Sequence, residues 1–338
     1  MHAYDKRPLG RTGLTTTVMG FGTAPLGDLF EELGEQQATA TIAAAYDAGV
    51  RMFDTAPLYG HGLAEHRLGS FLRTKPRDHF LVSTKVGRTY HAPSGDEAWD
   101  GAGYKGGLPF VAQFDYSYDG TMRSIEQSMM RTGLNRFDIV LIHDVDIWTH
   151  GSEAIDRRFG EAMDGAYRAL NDLRSQGVVK AIGVGVNESE MCLRFARAGD
   201  FDCFMLAGRY TLLEQGALDT LFPECQRRGI GLLLGGVFNS GILAGGKVYN
   251  YKAAPHEIVA TVRRMEDICS AYGVSLATAA LHFAAAHPVI ASLVLGSVKP
   301  QEVTQNANAF HAVIPSALWS DLRNEGLIRR DAPVPAKT

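Results

Sequence analysis

Short apolar runs rich in β-branched residues recur along this chain, and each gives way to a loop and then to a segment with helical spacing. Eight runs stand out: Val18 to Phe21, Val50 to Asp54, Phe80 to Lys85, Phe137 to His143, Lys180 to Val186, Phe201 to Leu206, Ile230 to Leu234 and Ala291 to Gly296. Helical periodicity is read between them at 35–48, 63–73, 119–133, 161–176, 189–198, 214–227 and 255–272. Strands that are apolar throughout belong to sheets covered on both faces, and strict alternation with helices makes such a sheet parallel. Eight repeats favour closure. The expected fold is therefore α/β, a (β/α)8 TIM barrel with an N-terminal β-hairpin and long active-site loops. A chain of 338 residues holds one such barrel of about 250 residues plus insertions, so one domain is expected over 1–338.

The segment Arg7 to Leu14 reads as a small hairpin turning at Gly10 to Gly13, suited to plugging the barrel floor. The stretch from Gly87 to Asp119 lacks periodicity and carries Tyr90, Trp99, Tyr104, Phe110, Phe114, Tyr116 and Tyr118. Long loops of this kind are more often functional lids than linkers.

Hydrophobic residues at 46% and charged residues at 21% are those of a folded chain. The net charge of −4 and the lack of a Lys/Arg-rich run argue against a nucleic-acid partner. Cys192, Cys203, Cys225 and Cys269 are widely spaced and form no CxxC pair, which fits a reducing compartment. The N-terminus has no apolar segment of the secretory kind, so a cytoplasmic location is expected. Leu276 to Gly296 comes nearest to a membrane span, but His282, His287 and Pro288 interrupt it. It reads as a buried helix followed by a strand, and no membrane association is expected.

In a barrel of this kind the active site lies at the C-terminal ends of the strands. Three consecutive runs end in Asp54, Lys85 and His143, and neighbouring strands lie about 4.8 Å apart. Tyr59 follows Asp54 closely enough to fold over the same mouth. Each residue has a plainer explanation: a loop-fixing acid, a strand-end lysine, a core histidine, a rim aromatic. Together they make a proton-transfer site. A tyrosine titrating near about 10 exchanges a proton at neutral pH when a nearby ammonium favours its phenolate by about 1–3 units. Lys85 supplies that charge, Asp54 keeps Lys85 ionised, and His143 can hydrogen-bond the substrate oxygen.

The elements Gly20-Phe-Gly-Thr, Phe53-Asp-Thr-Ala-Pro-Leu-Tyr-Gly, Ser83-Thr-Lys, Ile142-His-Asp, Ile182-Gly-Val and the late Gly296-Ser with Gln305-Asn resemble the aldo-keto reductase family along essentially the whole chain. The runs Phe204 to Gln215 and Asn239 to Ala244 resemble more narrowly its aldose 1-dehydrogenase branch, which includes enzymes similar to L-fucose dehydrogenase, D-threo-aldose dehydrogenase and pyridoxal 4-dehydrogenase. The resemblance implies that Asp54, Tyr59, Lys85 and His143 form the catalytic tetrad and that a nicotinamide cofactor binds. It implies neither a metal nor a flavin. No GxGxxG opens a βαβ unit, so the cofactor is expected on the barrel, along the loops after the seventh and eighth strands.

Its expected contacts are Gly22, Thr23, Asp54, Asn187, Phe238, Asn239, Ser240, Gly241, Leu243, Gly296, Ser297, Lys299, Glu302, Gln305 and Asn306. Pro300 is placed to open a helix whose first amides can receive phosphate oxygens. Matching Asn306 to the family's adenine-contacting Asn puts Glu302 where NADPH-preferring relatives carry Arg. A carboxylate there repels a 2′-phosphate and can accept from a free ribose hydroxyl, so NAD is favoured, while Lys299 keeps NADP open. Two positions depart from the family pattern: Ala207 stands for the Gln that holds the carboxamide, and Gly235 for the Tyr that stacks on the ring. Asn187 and Phe238 are the candidates to hold the ring instead.

The implied reaction oxidises a cyclic hemiacetal, a sugar such as L-fucose or D-threo-aldose or else pyridoxal, to its lactone. Tyr59, His143, Trp99 and Trp148 are the expected substrate contacts. Three rival readings remain open: an NADPH-dependent aldehyde or ketone reductase, a Schiff-base lyase with Lys85 as nucleophile, and a cofactor-sensing subunit on the same fold. Oligomeric state has no signature in the sequence.

Overall fold

The computed structural model describes residues 2–29, 31–95, 97 and 101–335. Eight strands form a closed barrel: β1 (Met19–Gly22), β2 (Met52–Asp54), β3 (Leu81–Val86), β4 (Ile139–His143), β5 (Ala181–Val186), β6 (Cys203–Ala207), β7 (Gly231–Gly235) and β8 (Ile290–Gly296). Every neighbouring pair is parallel, and β8 closes onto β1 through Leu293 opposite Met19 and Gly296 opposite Gly22. All eight expected strands are present, and the barrel closes as their number implied.

Period-two alternation divides each strand between two cores. On β4, Ile139 and Leu141 point inward to meet Met52, Ala181, Cys203 and Leu233, while Val140 and Ile142 face the surrounding helices. The N-terminal hairpin, Lys6–Pro8 paired with Thr15–Thr17, seals the floor by adding Leu9 and Leu14 to the inner cluster. Gly10 lies so close to the chain entering β7 that a Cβ there would stand 2.3 Å from the Gly229 carbonyl oxygen. The floor is therefore shut, and access is from the opposite mouth.

The segment Leu276 to Gly296 is a buried helix, Leu276–Ala286, followed by β8. Among the described residues no single helix is long and apolar enough to cross a membrane, although His256–Ala271 and Leu276–Ala286 pass that test together as a pair bent by 96°.

Several expectations are corrected. The stretch 87–119 is not wholly irregular: Arg88–His91 pairs antiparallel with Val111–Phe114. Its outer edge is satisfied by Gln127, which accepts from the Tyr90 amide at 3.1 Å and donates to the Tyr90 carbonyl at 2.8 Å. The helix read at 161–176 is a π-helical segment, Ala162–Tyr167, running into Arg168–Ser175. A helix that went unread, Ile147–Glu161, precedes it; it is kinked at Gly151, where φ is 74°, so its apolar face is confined to the second part, with Ile155 buried and Phe159 packed against the core. The helix read at 214–227 begins only at Leu221, because Thr211 Oγ1 accepts from the amides of Leu213 and Glu214 and holds a turn there. The short hairpin Val248–Tyr249 with Lys252–Ala253 and the final helix Ser316–Asn324 also went unread.

Candidate active site

β2, β3 and β4 end at the same rim and deliver Asp54, Lys85 and His143. Lys85 Nζ donates to Asp54 Oδ2 at 2.7 Å, to Asp54 Oδ1 at 3.0 Å and to the Thr55 carbonyl at 2.9 Å. Ser83 Oγ donates to Asp54 Oδ1 at 2.8 Å. Lys85 and Asp54 are 1% and 2% exposed, so each charge depends on the other for compensation.

Tyr59 reaches the mouth because its loop packs back to back with the turn Ala24–Gly27. Gly60 has φ +62°, and a Cβ on it would stand 2.4 Å from the Gly27 carbonyl oxygen. Only a residue without a side chain fits there. The Tyr59 ring lies 4.7 Å from Lys85 Nζ and meets the His143 ring edge-on, with centroids 6.0 Å apart at 84°. All four tetrad positions therefore converge.

The electrostatics depart from expectation at one point. Burial and the nearby Asp54 carboxylate push Tyr59 well above the usual phenol range. The expected lowering by Lys85 fails because the ammonium is spent on Asp54, leaving Tyr59 beside a nearly neutral pair. Burial, with help from Lys85 and Arg88, holds His143 well below its ordinary value. Tyr59 is thus a neutral phenol and His143 a neutral imidazole at pH 7.

Two cavities share Ala24, Leu29, Tyr59, Met205, Ala207 and Tyr251. One, of about 660 Å³, is walled by Tyr59, Lys85, His143, Trp148 and Asn187. The other, of about 310 Å³, runs along Gly22, Asp54, Phe238, Ser240, Gly241 and Gly296. The floor of this channel leaves room for the nicotinamide end of a dinucleotide. At Gly241, with φ +107°, an added Cβ would meet nothing within 4 Å, and at Gly235 its nearest neighbour would be Ala207 Cβ at 3.7 Å. A side chain at either position would fill the channel.

Other expected cofactor residues are placed elsewhere. Asn239 donates to the Gly208 carbonyl and to Asn250 Oδ1 and accepts from Thr211 Oγ1, so its side chain ties loops together. Leu243 is core. Thr23 and Ser297 are buried beside the channel, and their hydroxyls have no hydrogen-bond partner among the described residues. Lys299, Glu302, Gln305 and Asn306 line neither cavity. They lie on the helix Pro300–Ala309 or at its N-cap. Glu302 Oε2 accepts from the amides of Val298 at 2.8 Å and Lys299 at 3.4 Å. Glu302 therefore caps the chain just ahead of the helix whose first amides were expected to receive phosphate oxygens. Trp148 does line the larger cavity, while Trp99 lies outside the described residues.

Arg88, Asp144 and Tyr251 are cavity residues that escaped the sequence reading, while Tyr104 belongs to the aromatic loop expected to form a lid. Arg88 and Tyr104 come from the long loop, and Tyr251 from the tip of the late hairpin, where Asn250 and Tyr251 have φ of 46° and 66°. Asp144 follows His143 directly and has φ 56°, which turns both side chains to the cavity. The adjacent His-Asp pair was the one signal available.

Barrel, tetrad and glycine-floored channel define a class, and the sequence comparison agrees. The chain belongs to the aldo/keto reductase family of oxidoreductases, whose pattern matches residues 18–324. It is 42% identical to a pyridoxal 4-dehydrogenase from Microbacterium luteolum over 97% of this chain and 99% of that one. It is 39% identical to a D-threo-aldose 1-dehydrogenase from a Pseudomonas species, covering 94% and 96%. Among solved structures, an aldo-keto reductase from Bacillus halodurans in its holo form superposes with TM-score 0.74 at 21% identity, covering 98% of each chain.

Proposed function

We propose that this protein oxidises a cyclic hemiacetal, an aldose at its anomeric carbon or pyridoxal in its hemiacetal form, to the lactone, with NAD as hydride acceptor. The observation that carries the reading is the convergence of Asp54, Tyr59, Lys85 and His143 on one cavity joined to a glycine-floored channel. The relatives named for pyridoxal and aldose oxidation support the substrate class. When bound, a nicotinamide cofactor held along Gly22, Asp54, Phe238, Ser240, Gly241 and Gly296 would supply its C4 as hydride acceptor.

His143 donates to the reacting oxygen and orients it. Tyr59 takes the hydroxyl proton as the C–H electron pair leaves as hydride, and the carbonyl forms. Because Tyr59 rests as a neutral phenol, its own proton must first pass to solvent, and alkaline pH speeds oxidation. Asp54 holds Lys85 ionised against the Tyr59 ring. Glu302 supports NAD over NADP, since a carboxylate at this position would repel a 2′-phosphate and could accept from a free ribose hydroxyl.

A second reading has its own support: a neutral Tyr59 is a ready proton donor, which suits NADPH-dependent reduction of an aldehyde or ketone. The deciding experiment follows absorbance of the reduced nicotinamide with NAD or NADP against aldoses and pyridoxal, for wild type and Tyr59→Phe. NAD-dependent oxidation that falls by roughly 10²–10⁴ in Tyr59→Phe is expected. Turnover confined to NADPH and free carbonyls would establish the second reading instead.

A further inference from the structure

Beside the tetrad stands a charged pair that the proton transfer does not use. Arg88 Nη1 lies 2.8 Å from Asp144 Oδ2, and the two residues are 8% and 7% exposed. The guanidinium is stacked 4.3 Å from the centroid of the Phe114 ring. Both residues border the same cavity as Tyr59 and His143. Burying two charges in a cavity wall is costly unless their remaining bonding capacity is used.

That capacity is directed at His143. Arg88 Nη1 is 3.5 Å from His143 Nδ1, and Asp144 Oδ1 is 3.3 Å from His143 Nε2. A guanidinium only donates, so Nδ1 must accept. A neutral imidazole then carries its proton on Nε2, facing the Asp144 carboxylate. A substrate oxygen that accepts from Nε2–H then lies beside Asp144 Oδ1, 3.3 Å from Nε2, which stands as a charged acceptor at the cavity surface. It needs a donor, and the 3.3 Å between Nε2 and Oδ1 lets two oxygens held close together on one molecule meet both atoms.

We propose that Arg88 fixes His143 as the Nε2–H tautomer and that Asp144 reads a second hydroxyl beside the reacting one. This rests on the hemiacetal-oxidation reading above and narrows it. The substrate carries a hydroxyl two or three bonds from the oxidised carbon, either the C2 hydroxyl of an aldose or the ring hydroxyl of pyridoxal. Asp144 touches substrate, whereas Arg88 acts through His143 and is a positioning residue.

The test has two arms. In the first, kcat/KM is compared for an aldose against its 2-deoxy analogue and for pyridoxal against 3-deoxypyridoxal, in wild type and Asp144→Asn. The wild type should prefer the hydroxylated member of one pair by on the order of a hundredfold, because the analogue leaves Asp144 Oδ1 without a donor while Oδ2 stays paired with Arg88. The pair that shows the preference identifies the source of the hydroxyl. In Asp144→Asn the ratio should fall to within about tenfold; an unchanged ratio refutes the role of Asp144. In the second arm, ¹⁵N chemical shifts of the His143 ring report the tautomer without any turnover. Wild type and Arg88→Lys should show protonated Nε2, and Arg88→Met should admit the Nδ1–H form. Protonated Nδ1 in the wild type, or an unchanged spectrum in Arg88→Met, refutes the role of Arg88. If no sugar or pyridoxal is oxidised with either cofactor, the dehydrogenase reading fails and the hydroxyl-reading role with it. The nitrogen shifts then still decide the tautomer.

Discussion

Replacing Asp54 with Asn tests the central ion pair more sharply than any loss of activity can. In the wild type the Lys85 ammonium is 1% exposed and has three acceptor contacts, two of them on Asp54. Asp54→Asn removes the only charge among the described residues that compensates it at hydrogen-bond distance. Breaking a buried pair on one side costs about 3–5 kcal/mol. Lys85 has one escape, which is to shed its proton on folding. Bringing a lysine from about 10.4 to pH 7, at about 1.36 kcal/mol per unit, caps the loss at about 4.6 kcal/mol. At pH 9 the same arithmetic lowers the cap to about 1.9 kcal/mol. The sign follows from linkage: the unfolded variant binds one proton more than the folded one, so its stability rises with pH over this window. Chemical denaturation followed by tryptophan fluorescence, at pH 7 and pH 9, measures both values. The double variant Asp54→Asn with Lys85→Met should return to within about 1.5 kcal/mol of wild type, because it buries no charge, while remaining inactive. A loss below about 1 kcal/mol at pH 7, or one that does not shrink at pH 9, would refute the reasoning.

Three further outcomes are expected. Glu302→Gln should raise the ratio of NADP to NAD use, measured as kcat/KM, by roughly tenfold, since the amide can still cap Val298 without repelling a phosphate; an unchanged ratio would remove Glu302 from cofactor choice. His287 is lowered by burial to about 4 and accepts from the Val289 amide through Nδ1. The folded state therefore binds fewer protons than the unfolded one below about 6.5, and stability should fall by up to about 3 kcal/mol as the pH drops from there through 4. His287→Gln should flatten that slope in denaturation curves taken across the range. Gly69→Ala places a Cβ 2.1 Å from the Thr132 carbonyl oxygen and should cost at least about 2 kcal/mol in the same assay; a neutral effect would mean that the two helices can part freely.

How far the chain could be read follows from the range of each signal. Apolar runs and helical spacing are local, so the eight strands, the floor hairpin and the buried helix before β8 were legible from residues 7 to 296. Asp54, Lys85 and His143 were legible because they terminate runs, and a barrel gathers strand ends by construction. Partnership among charges is not local. Lys85 stood near both Asp54 and Tyr59 in sequence terms, and only the folded distances assigned its ammonium to Asp54, which left Tyr59 a neutral phenol. Glu302 was legible as an acid near the cofactor's expected path, but not as the acceptor for the amides of Val298 and Lys299. Arg88 and Tyr251 lay in segments without periodicity, and nothing in their spacing could bring them over the mouth, whereas Tyr104 was legible only as part of an aromatic lid. The sequence by itself determined the barrel and which strand ends meet, because periodicity and order suffice for that. Tertiary structure alone decided which charges pair and which loops wall the cavity, because these depend on distances of a few ångströms between residues far apart in the chain.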